Sequence, residues 1–313
     1  MSQSEDRFVG CLLGLAVGDA LGMPAEGRTR PQIERIFADG LRFLPDERRG
    51  MPAGCFTDDT QLMLCHLDSI LEKGCADTAD IAQRFLNLFL GEGIRGIGTS
   101  TLKALLRLKG GVRAEEAGEE GFWAAGNGVA MRIAPVGLLF AFVEGDIYDE
   151  VRKAAVMTHR NEEAIAGGYV VAEVVRRCAG RDTGIAEAAQ KALQRVETTK
   201  VAGRLKEALK MLEEGVAAEE AVMRLGTGGY VVETVASAVY AAAFYGEDYT
   251  EALRVLIFAG GDTDTTAAIC GALIGAKFGK DVIPQPLRTG VERGSEIEEK
   301  ARRLYRVARE LGG

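Results

Sequence analysis

Helical spacing of apolar residues runs through almost the whole of this 313-residue chain. Apolar side chains recur three or four residues apart from Phe8 to Ala16, from Leu62 to Leu71 and in most segments that follow. No segment shows the alternation of apolar and polar residues that is typical of a half-buried strand. The sequence therefore predicts an all-α fold.

A helix is predicted to open at Asp77, and two sections rich in turn formers, 40–55 and 109–128, interrupt the helical pattern. Neither section has the composition of a linker, so we predict a single domain over residues 1–313. The same apolar spacing predicts further helices over residues 100–109, 129–143, 148–158, 161–178, 184–197, 202–214, 217–225, 231–245, 250–258, 264–278 and 294–311.

Charge argues against a general nucleic-acid-binding surface. The net charge is −8, and the basic residues are dispersed among acidic ones rather than gathered into a basic field. The two histidines, His66 and His159, are too few for a typical zinc site.

The six cysteines include no CxxC pair, and the chain opens with polar and acidic residues rather than a secretory signal. We therefore expect a reduced, cytoplasmic protein. The longest mostly apolar segment, 129–143, contains Arg132 and Pro135 and is too short to cross a bilayer. No membrane partner is expected, and the sequence leaves the oligomeric state open.

Two short acidic runs, 56–60 (FTDDT) and 260–265 (GGDTDT), each stand immediately before a helical segment. Taken singly, each is a helix start in which threonine caps and aspartate favours the positive end. Both concentrate more charge than capping needs. If folding brings them together, four carboxylates and several hydroxyls would form an oxygen-only cage for a pair of hard divalent ions.

Charge balance favours two ions over one. Four neighbouring carboxylates would repel one another and titrate together at raised pKa values. Two divalent cations would balance four aspartates, and Thr57 and Thr265 could add neutral oxygen ligands. Because oxygen-only ligands favour magnesium or manganese over zinc or copper, we predict two Mg²⁺ or Mn²⁺ ions.

The first predicted helix carries unusual residues. Gly14, Gly18 and Gly22 recur every four residues, and each weakens a helix by about 1 kcal/mol relative to alanine. We interpret this spacing as close helix packing. Asp19 lies inside the apolar run, where an unpaired charge is costly, so we expect it to accept hydrogen bonds from a neighbouring loop. Glu26 follows the helix and, by itself, is an ordinary solvated glutamate.

The Gly-Asn-Gly sequence at 126–128 precedes the most apolar predicted helix. Such small residues leave backbone N–H groups free at a helix N-terminus, which is a natural phosphate cradle, although a simple turn accounts for them equally well. Arg132 lies within the apolar stripe and should pair with an acid or reach an anionic ligand. His159 ends another helix and is either structural or in contact with phosphate or ribose oxygens.

This combination resembles the ADP-ribosylglycohydrolase family, which includes dinitrogenase-reductase-activating glycohydrolase and the crystallin J1 relatives. The matching blocks stand in the family's order and extend over most of the chain. They are 10–27 (GCLLGLAVGDALGMPAEG), 56–64 (FTDDTQLML), 126–137 (GNGVAMRIAPVG), 158–159 (TH) and 260–279 (GGDTDTTAAICGALIGAKFG).

The resemblance implies a compact all-α fold with two magnesium or manganese ions in a central cleft. Glu26 would lie by the scissile bond. The metal ligands would be Thr57, Asp58, Asp59, Asp262, Asp264 and Thr265. The diphosphate and ribose of ADP-ribose would be held by Asn127, Gly128, Met131 and His159.

The family removes ADP-ribose from a side chain, or cleaves a related ADP-ribosyl linkage, by hydrolysis. The implied substrate is an ADP-ribosylated protein or a small ADP-ribosyl compound. Cleavage at the anomeric carbon passes through an oxocarbenium-like state, and a carboxylate can take the proton of a metal-bound water. We expect Glu26 to position or deprotonate the attacking water, with Asp59 as the competing candidate. The leaving group, whether arginine, serine, an acyl ester or a nucleobase, stays open.

Two other functions use the same residues. One is a metal-dependent phosphohydrolase acting on a nucleotide diphosphate, which would yield AMP rather than intact ADP-ribose. The other is a non-catalytic ADP-ribose-binding protein.

Overall fold

The computed structural model describes residues 2–313, which form α-helices and short 3-10 helices and contain no strand. The α-helices are α1 (Gln3–Gly22), α2 (Arg30–Ile36), α3 (Asp58–Lys73), α4 (Thr78–Leu90), α5 (Thr99–Lys109), α6 (Ala114–Ala117), α7 (Ala134–Leu139), α8 (Tyr148–Ala155), α9 (Glu162–Arg181), α10 (Ile185–Val196), α11 (Lys200–Glu213), α12 (Ala218–Leu225), α13 (Val231–Tyr245), α14 (Tyr249–Ala259), α15 (Thr263–Phe278), α16 (Gln285–Gly290) and α17 (Gly294–Gly312).

The all-α prediction is confirmed, and most predicted helices begin and end close to the observed residues. One prediction was wrong: residues 129–143 form no single helix, but a 3-10 turn over Ala130–Arg132 followed by the short α7. Pro135 explains the break, because its ring and missing N–H are tolerated only in the first turn of a helix. The sequence did not predict α2, α6 or α16, which are too short to display a clear period.

Helices α1 and α15 run antiparallel with their backbones in direct contact. A Cβ atom added to Gly14 would collide with the main chain of Gly271, and one added to Gly275 would collide with Gly10. Gly18 is equally close to the main chain of α15. The interpretation of the four-residue spacing as close helix packing is confirmed.

The C-terminal end of α1 meets the start of α15. A Cβ atom on Gly22 would lie 2.5 Å from Cα of Asp264, and the Thr263 hydroxyl donates to the Gly22 carbonyl at 2.8 Å. The chain then turns through a 3-10 helix, Met23–Ala25, to Glu26. This contact sets the first helix and the second acidic run side by side.

One large cluster of buried apolar side chains extends from Phe8 in α1 to Ala308 in α17.

The segment Gln3–Ala25 has the length and hydropathy of a membrane span, but its apolar window is wholly buried inside the fold. Core helices pass the same test, so the property is weak evidence for a membrane. At 23 residues, Gln3–Ala25 is longer than 129–143, so the expectation that 129–143 is the longest mostly apolar segment was wrong. The single domain over residues 1–313 stays a prediction.

We predict that Gly271→Ala destabilises the protein by about 1–3 kcal/mol, because the new methyl group would force the backbones of α1 and α15 apart. Gly203→Ala is the matched control, since a Cβ atom at this position in the first turn of α11 meets nothing within 4 Å. That control should be neutral or stabilising by up to about 1 kcal/mol. Denaturant unfolding measures both, and equal midpoints for the two variants would contradict the packing argument.

Candidate metal centre

Asp19, buried in α1, holds the N-terminal end of α3. Its Oδ1 accepts hydrogen bonds from the backbone N–H and the hydroxyl of Thr57, both at 2.9 Å. Its Oδ2 accepts from the N–H and hydroxyl of Thr60 at 3.0 and 2.6 Å. Backbone donors at a helix start have no partner within their own helix, so this carboxylate caps α3 from another helix. Asp19 thus accepts hydrogen bonds as predicted, but its donors lie at the start of a helix rather than in a loop.

The start of α15 is fixed by the chain between α12 and α13. The N–H of Asp262 donates to the Thr227 carbonyl at 2.8 Å, and a Cβ atom on Gly261 would collide with that same residue. Gly261 also has a φ of +79°, which favours glycine. The side-chain amide of Asn127 donates to Oδ2 of Asp262 at 2.8 Å and so orients this carboxylate.

Folding brings the two acidic runs together. The hydroxyl of Thr265, in the second run, hydrogen-bonds to Asp59 in the first, and the Thr57 hydroxyl lies 3.1 Å from Oδ2 of Asp59. All six predicted metal-ligating residues therefore gather around one site. Carboxylate oxygens lie within 4.8 Å of one another in two overlapping groups: Asp19, Asp59 and Asp264, and Glu26, Asp262 and Asp264.

The carboxylates strongly perturb one another's protonation. Burial first, and neighbouring carboxylates second, raise the pKa of Asp58 to about 8 and those of Asp59 and Asp264 well above their usual values. Burial also raises the pKa of Asp19 to about 6, although the hydrogen bonds from the two threonines oppose the shift. Without a cation, Asp58, Asp59 and Asp264 hold protons at neutral pH, whereas Asp19 is mostly ionised.

One oxygen in the cluster lacks any partner. Oδ1 of Asp59 is buried and accepts no hydrogen bond. Burying an acceptor without a hydrogen bond lowers the free energy of unfolding, and a bound cation would interact favourably with this oxygen. The surrounding donors are carboxylate and hydroxyl oxygens, which suit a hard divalent ion. The residues present therefore fit a metal.

Glu26 lies at the rim of the acidic cluster. Its side chain is 38% exposed, and its Oε2 is 2.5 Å from a guanidinium nitrogen of Arg49. It is thus an arginine-paired member of the acidic site rather than a free surface glutamate.

A cleft of about 240 Å³ opens over the acidic residues. It is lined by all four residues predicted to hold substrate, namely Asn127, Gly128, Met131 and His159. The His159 imidazole is buried, and its Nδ1 lies 2.9 Å from the Thr158 hydroxyl. Burial, with the charge of Arg132 second, lowers the pKa of His159 to about 3. At neutral pH this imidazole is an uncharged hydrogen-bonding group.

The expectation for Arg132 was wrong. Its guanidinium is fully buried and contacts neither an acid nor the cleft. It donates to the Thr158 hydroxyl at 2.5 Å, to the Gly128 carbonyl and to Nε2 of His66 at 3.2 Å. Burial lowers its pKa to about 9. Arg132 therefore ties the Gly-Asn-Gly turn to the segment before His159 through neutral acceptors.

Two glycine-rich segments that line the cleft were not predicted from the sequence. The first includes Gly96 and residues 98–101 at the start of α5, and the second includes Gly229. The density of glycine at 91–98 and 226–229 was the available signal.

An apolar recess adjoins the cleft and shares Gly126 and Gly229 with it. Phe122 and Trp123 form its wall, with 67% and 91% of their surface exposed and their rings packed edge to face. The two rings thus present an exposed apolar face beside the cleft.

The fold and the site define a class: an all-α protein in which the starts of α3 and α15 carry the two acidic runs of one metal-compatible cleft. The sequence model of the ADP-ribosylglycohydrolase family matches residues 1–312. The chain belongs to the ADP-ribosylglycohydrolase family.

Individual relatives align over nearly the whole chain. An uncharacterized protein of Archaeoglobus fulgidus is 36% identical over 305 residues, which cover 97% of each chain. The human ADP-ribosylhydrolase ARH3 is 28% identical, over 98% of this chain and 94% of its own. A solved structure described as an ADP-ribosylglycohydrolase-related protein complex superimposes with a TM-score of 0.78 at 31% identity, covering 98% of this chain and all of the other.

We predict that the metal-free protein loses stability as the pH rises from about 4 towards 8. In the unfolded chain aspartate releases its proton near pH 4, whereas the folded protein retains protons on carboxyls with raised pKa values. The folded state therefore binds more protons over this range, and its stability falls with rising pH. A bound metal replaces these protons, so stabilisation by Mg²⁺ or Mn²⁺ should grow with pH. Melting temperatures after chelation and after metal addition, at pH 5 and pH 8, measure both effects.

Asp58→Asn should weaken the pH dependence of the chelated protein, because it removes one of these titrating carboxyls. Asp281→Asn, at a site 78% exposed, is the matched control. A melting temperature insensitive to chelation at pH 8 would count against the metal site.

Proposed function

We propose that this protein is a hydrolase that cleaves an ADP-ribosyl glycosidic linkage with the help of two divalent ions, Mg²⁺ or Mn²⁺. The observation that carries the proposal is the meeting of the two acidic runs beneath a cleft lined by Asn127, Gly128, Met131 and His159. Family membership and the names of the ARH3 relatives support ADP-ribose as the group that is recognised.

Charge supports two ions rather than one. Asp58, Asp59, Asp262 and Asp264 together carry four negative charges when ionised, with Thr57 and Thr265 as neutral oxygen donors beside them. When bound, the ions supply positive charge that orients the ribose hydroxyls and acidifies water.

Glu26 is the residue we assign to take a proton from the attacking water. It is half-exposed at the rim and lies within reach of Asp262 and Asp264, so it can face both the cleft and the metal site. Asp59, the competing candidate, is buried beneath the cleft and is engaged by two threonines. Its position suits a ligand better than a base that must contact substrate.

The residues expected to bind the substrate favour a nucleotide-like molecule. The neutral His159 and the turn at Gly128 offer hydrogen bonds to the phosphate and ribose groups without adding charge. The exposed rings of Phe122 and Trp123 offer a face on which the adenine base can stack. A phosphohydrolase remains the second candidate, and product analysis separates the two: intact ADP-ribose supports the glycohydrolase, and AMP the phosphohydrolase.

We also place the protein in the cytoplasm. All six cysteines are free, which supports a reducing compartment.

Asp264→Asn should abolish release of ADP-ribose, because it removes one carboxylate shared by both acidic groups. The loss of rate should exceed the roughly 10- to 100-fold contributed by residues that merely support metal ligands. Chromatography of the products from a panel of ADP-ribosyl compounds, each tested with Mg²⁺ and Mn²⁺, provides the measurement. Asp281→Asn should retain full activity, and an active Asp264→Asn variant would sink the assignment of metal ligands.

Trp123→Ala should weaken ADP-ribose binding by roughly tenfold or more while leaving kcat nearly unchanged, because it removes a stacking surface remote from the reacting bond. Trp123 is the single tryptophan of the chain, so quenching of its fluorescence reports binding in the parent protein. Calorimetry measures the variant, with Trp123→Phe expected to retain much of the affinity. Phe244→Ala, which removes another exposed ring, is the control; an equal effect there would refute the stacking surface.

A further inference from the structure

Arg49 makes three hydrogen bonds that connect the carboxylate of Glu26 to Met23 and Asp46. One terminal nitrogen lies 2.5 Å from Oε2 of Glu26, and the other donates to the main-chain carbonyl of Met23 in the 3-10 helix that precedes Glu26. Its Nε donates to Oδ2 of Asp46 at 2.7 Å. All three guanidinium nitrogens are therefore used.

Asp46 is the anchor of this arrangement. Its side chain is fully buried, and it closes a turn in which Asp46 and Met51 exchange backbone hydrogen bonds. Burial opposes ionisation of Asp46, but hydrogen bonds from Arg48 and Arg49 outweigh it and hold its pKa below the usual value. Arg49 therefore lies in a turn whose backbone is held by hydrogen bonds and whose side chains are anchored by Asp46.

Glu26 needs such support because of its surroundings. Its carboxylate oxygens lie within 4.8 Å of those of Asp262 and Asp264, which repel it when they are ionised. Among residues 2–313, those that line the cleft include no lysine or arginine. Arg49, immediately behind Glu26, supplies the positive charge at this rim.

We propose that Arg49 is a positioning residue. It holds the carboxylate of Glu26 at the mouth of the cleft and is itself held in place by the buried carboxylate of Asp46. The inference deepens the proposed function and rests on it wherever activity is the readout. A guanidinium is required because its planar fork can satisfy a carboxylate, a carbonyl and a second carboxylate at once, which a lysine ammonium cannot do in the same geometry.

Arg48 offers a matched comparison. It binds the same Asp46, with its Nε 2.9 Å from Oδ1, and donates to the main-chain carbonyl of Glu26 at 3.0 Å. It makes no contact with the carboxylate of Glu26. Loss of Arg48 should therefore disturb the loop without releasing the proposed base.

The test compares Arg49→Met, Arg49→Lys and Arg48→Met as full-length, metal-loaded proteins. Arg49→Met should lower kcat by about 100-fold with little change in KM, since misplacing a catalytic group by about 1 Å has such an effect. Arg49→Lys should recover part of the loss, and Arg48→Met, which leaves the contact between Arg49 and the Glu26 carboxylate in place, should lose less than Arg49→Met does. Methylguanidine should partly restore Arg49→Ala. A parent-like kcat for Arg49→Met, or an equal loss for Arg48→Met, would overturn the proposal.

A second measurement needs no turnover. In melting experiments on the metal-free protein, the effects of Glu26→Gln and Arg49→Met should be non-additive, whereas those of Glu26→Gln and Asp281→Asn, an exposed site near Asp6 at the opposite end of α1, should add. If the parent protein releases ADP-ribose from no compound in the panel, the proposed function fails, and this coupling alone decides whether Arg49 holds Glu26. Additive effects for the first pair would refute the contact in either case.

Discussion

The direct backbone contact between α1 and α15 is the constraint on which the rest of the site depends. Each of the two helices carries glycines at four-residue spacing, and Gly14 of α1 faces Gly271 of α15. The helices therefore approach more closely than larger side chains would allow. Because the helices are antiparallel, the end of the first meets the start of the other, and Gly22 lies against Asp264. A wider separation would move Glu26 away from Asp262 and Asp264, whose carboxylate oxygens lie within 4.8 Å of its own.

The first acidic run is attached to the same pair of helices by Asp19. This buried carboxylate lies one turn before Gly22 and receives four hydrogen bonds from Thr57 and Thr60 at the start of α3. One residue thus caps a helix that it does not belong to and stands beside Asp59 and Asp264. The resulting concentration of negative charge is unfavourable by itself, as the raised pKa values show, and Oδ1 of Asp59 is left without a partner. The stability of this region and its fitness to hold a cation therefore depend on the same few side chains.

Much of this could be predicted from the sequence because its signals are local. Helical periodicity, capping residues and glycine spacing depend on neighbours within a few positions, so the helices and the close packing of α1 were recognisable. Arg132 and Glu26 were harder, since their roles depend on what lies opposite them in space. Arg132 donates to neutral acceptors rather than to an acid, and Glu26 pairs with Arg49, 23 residues away in the chain. The glycine-rich segment near Gly229 was missed because a turn gives no sign of which cleft it borders.

The sequence by itself determined the all-α class and the family, and it supplied the acidic residues with enough charge for two divalent ions. These follow from residue types and their order along the chain. Tertiary structure decided which oxygens come within reach of one another, that Asp19 joins the acidic cluster, and that Asp46 and Arg49 stand behind Glu26. The physical reason is that a carboxylate's pKa, its hydrogen-bond partners and its access to a ligand depend on distances and burial, which only the packed helices establish.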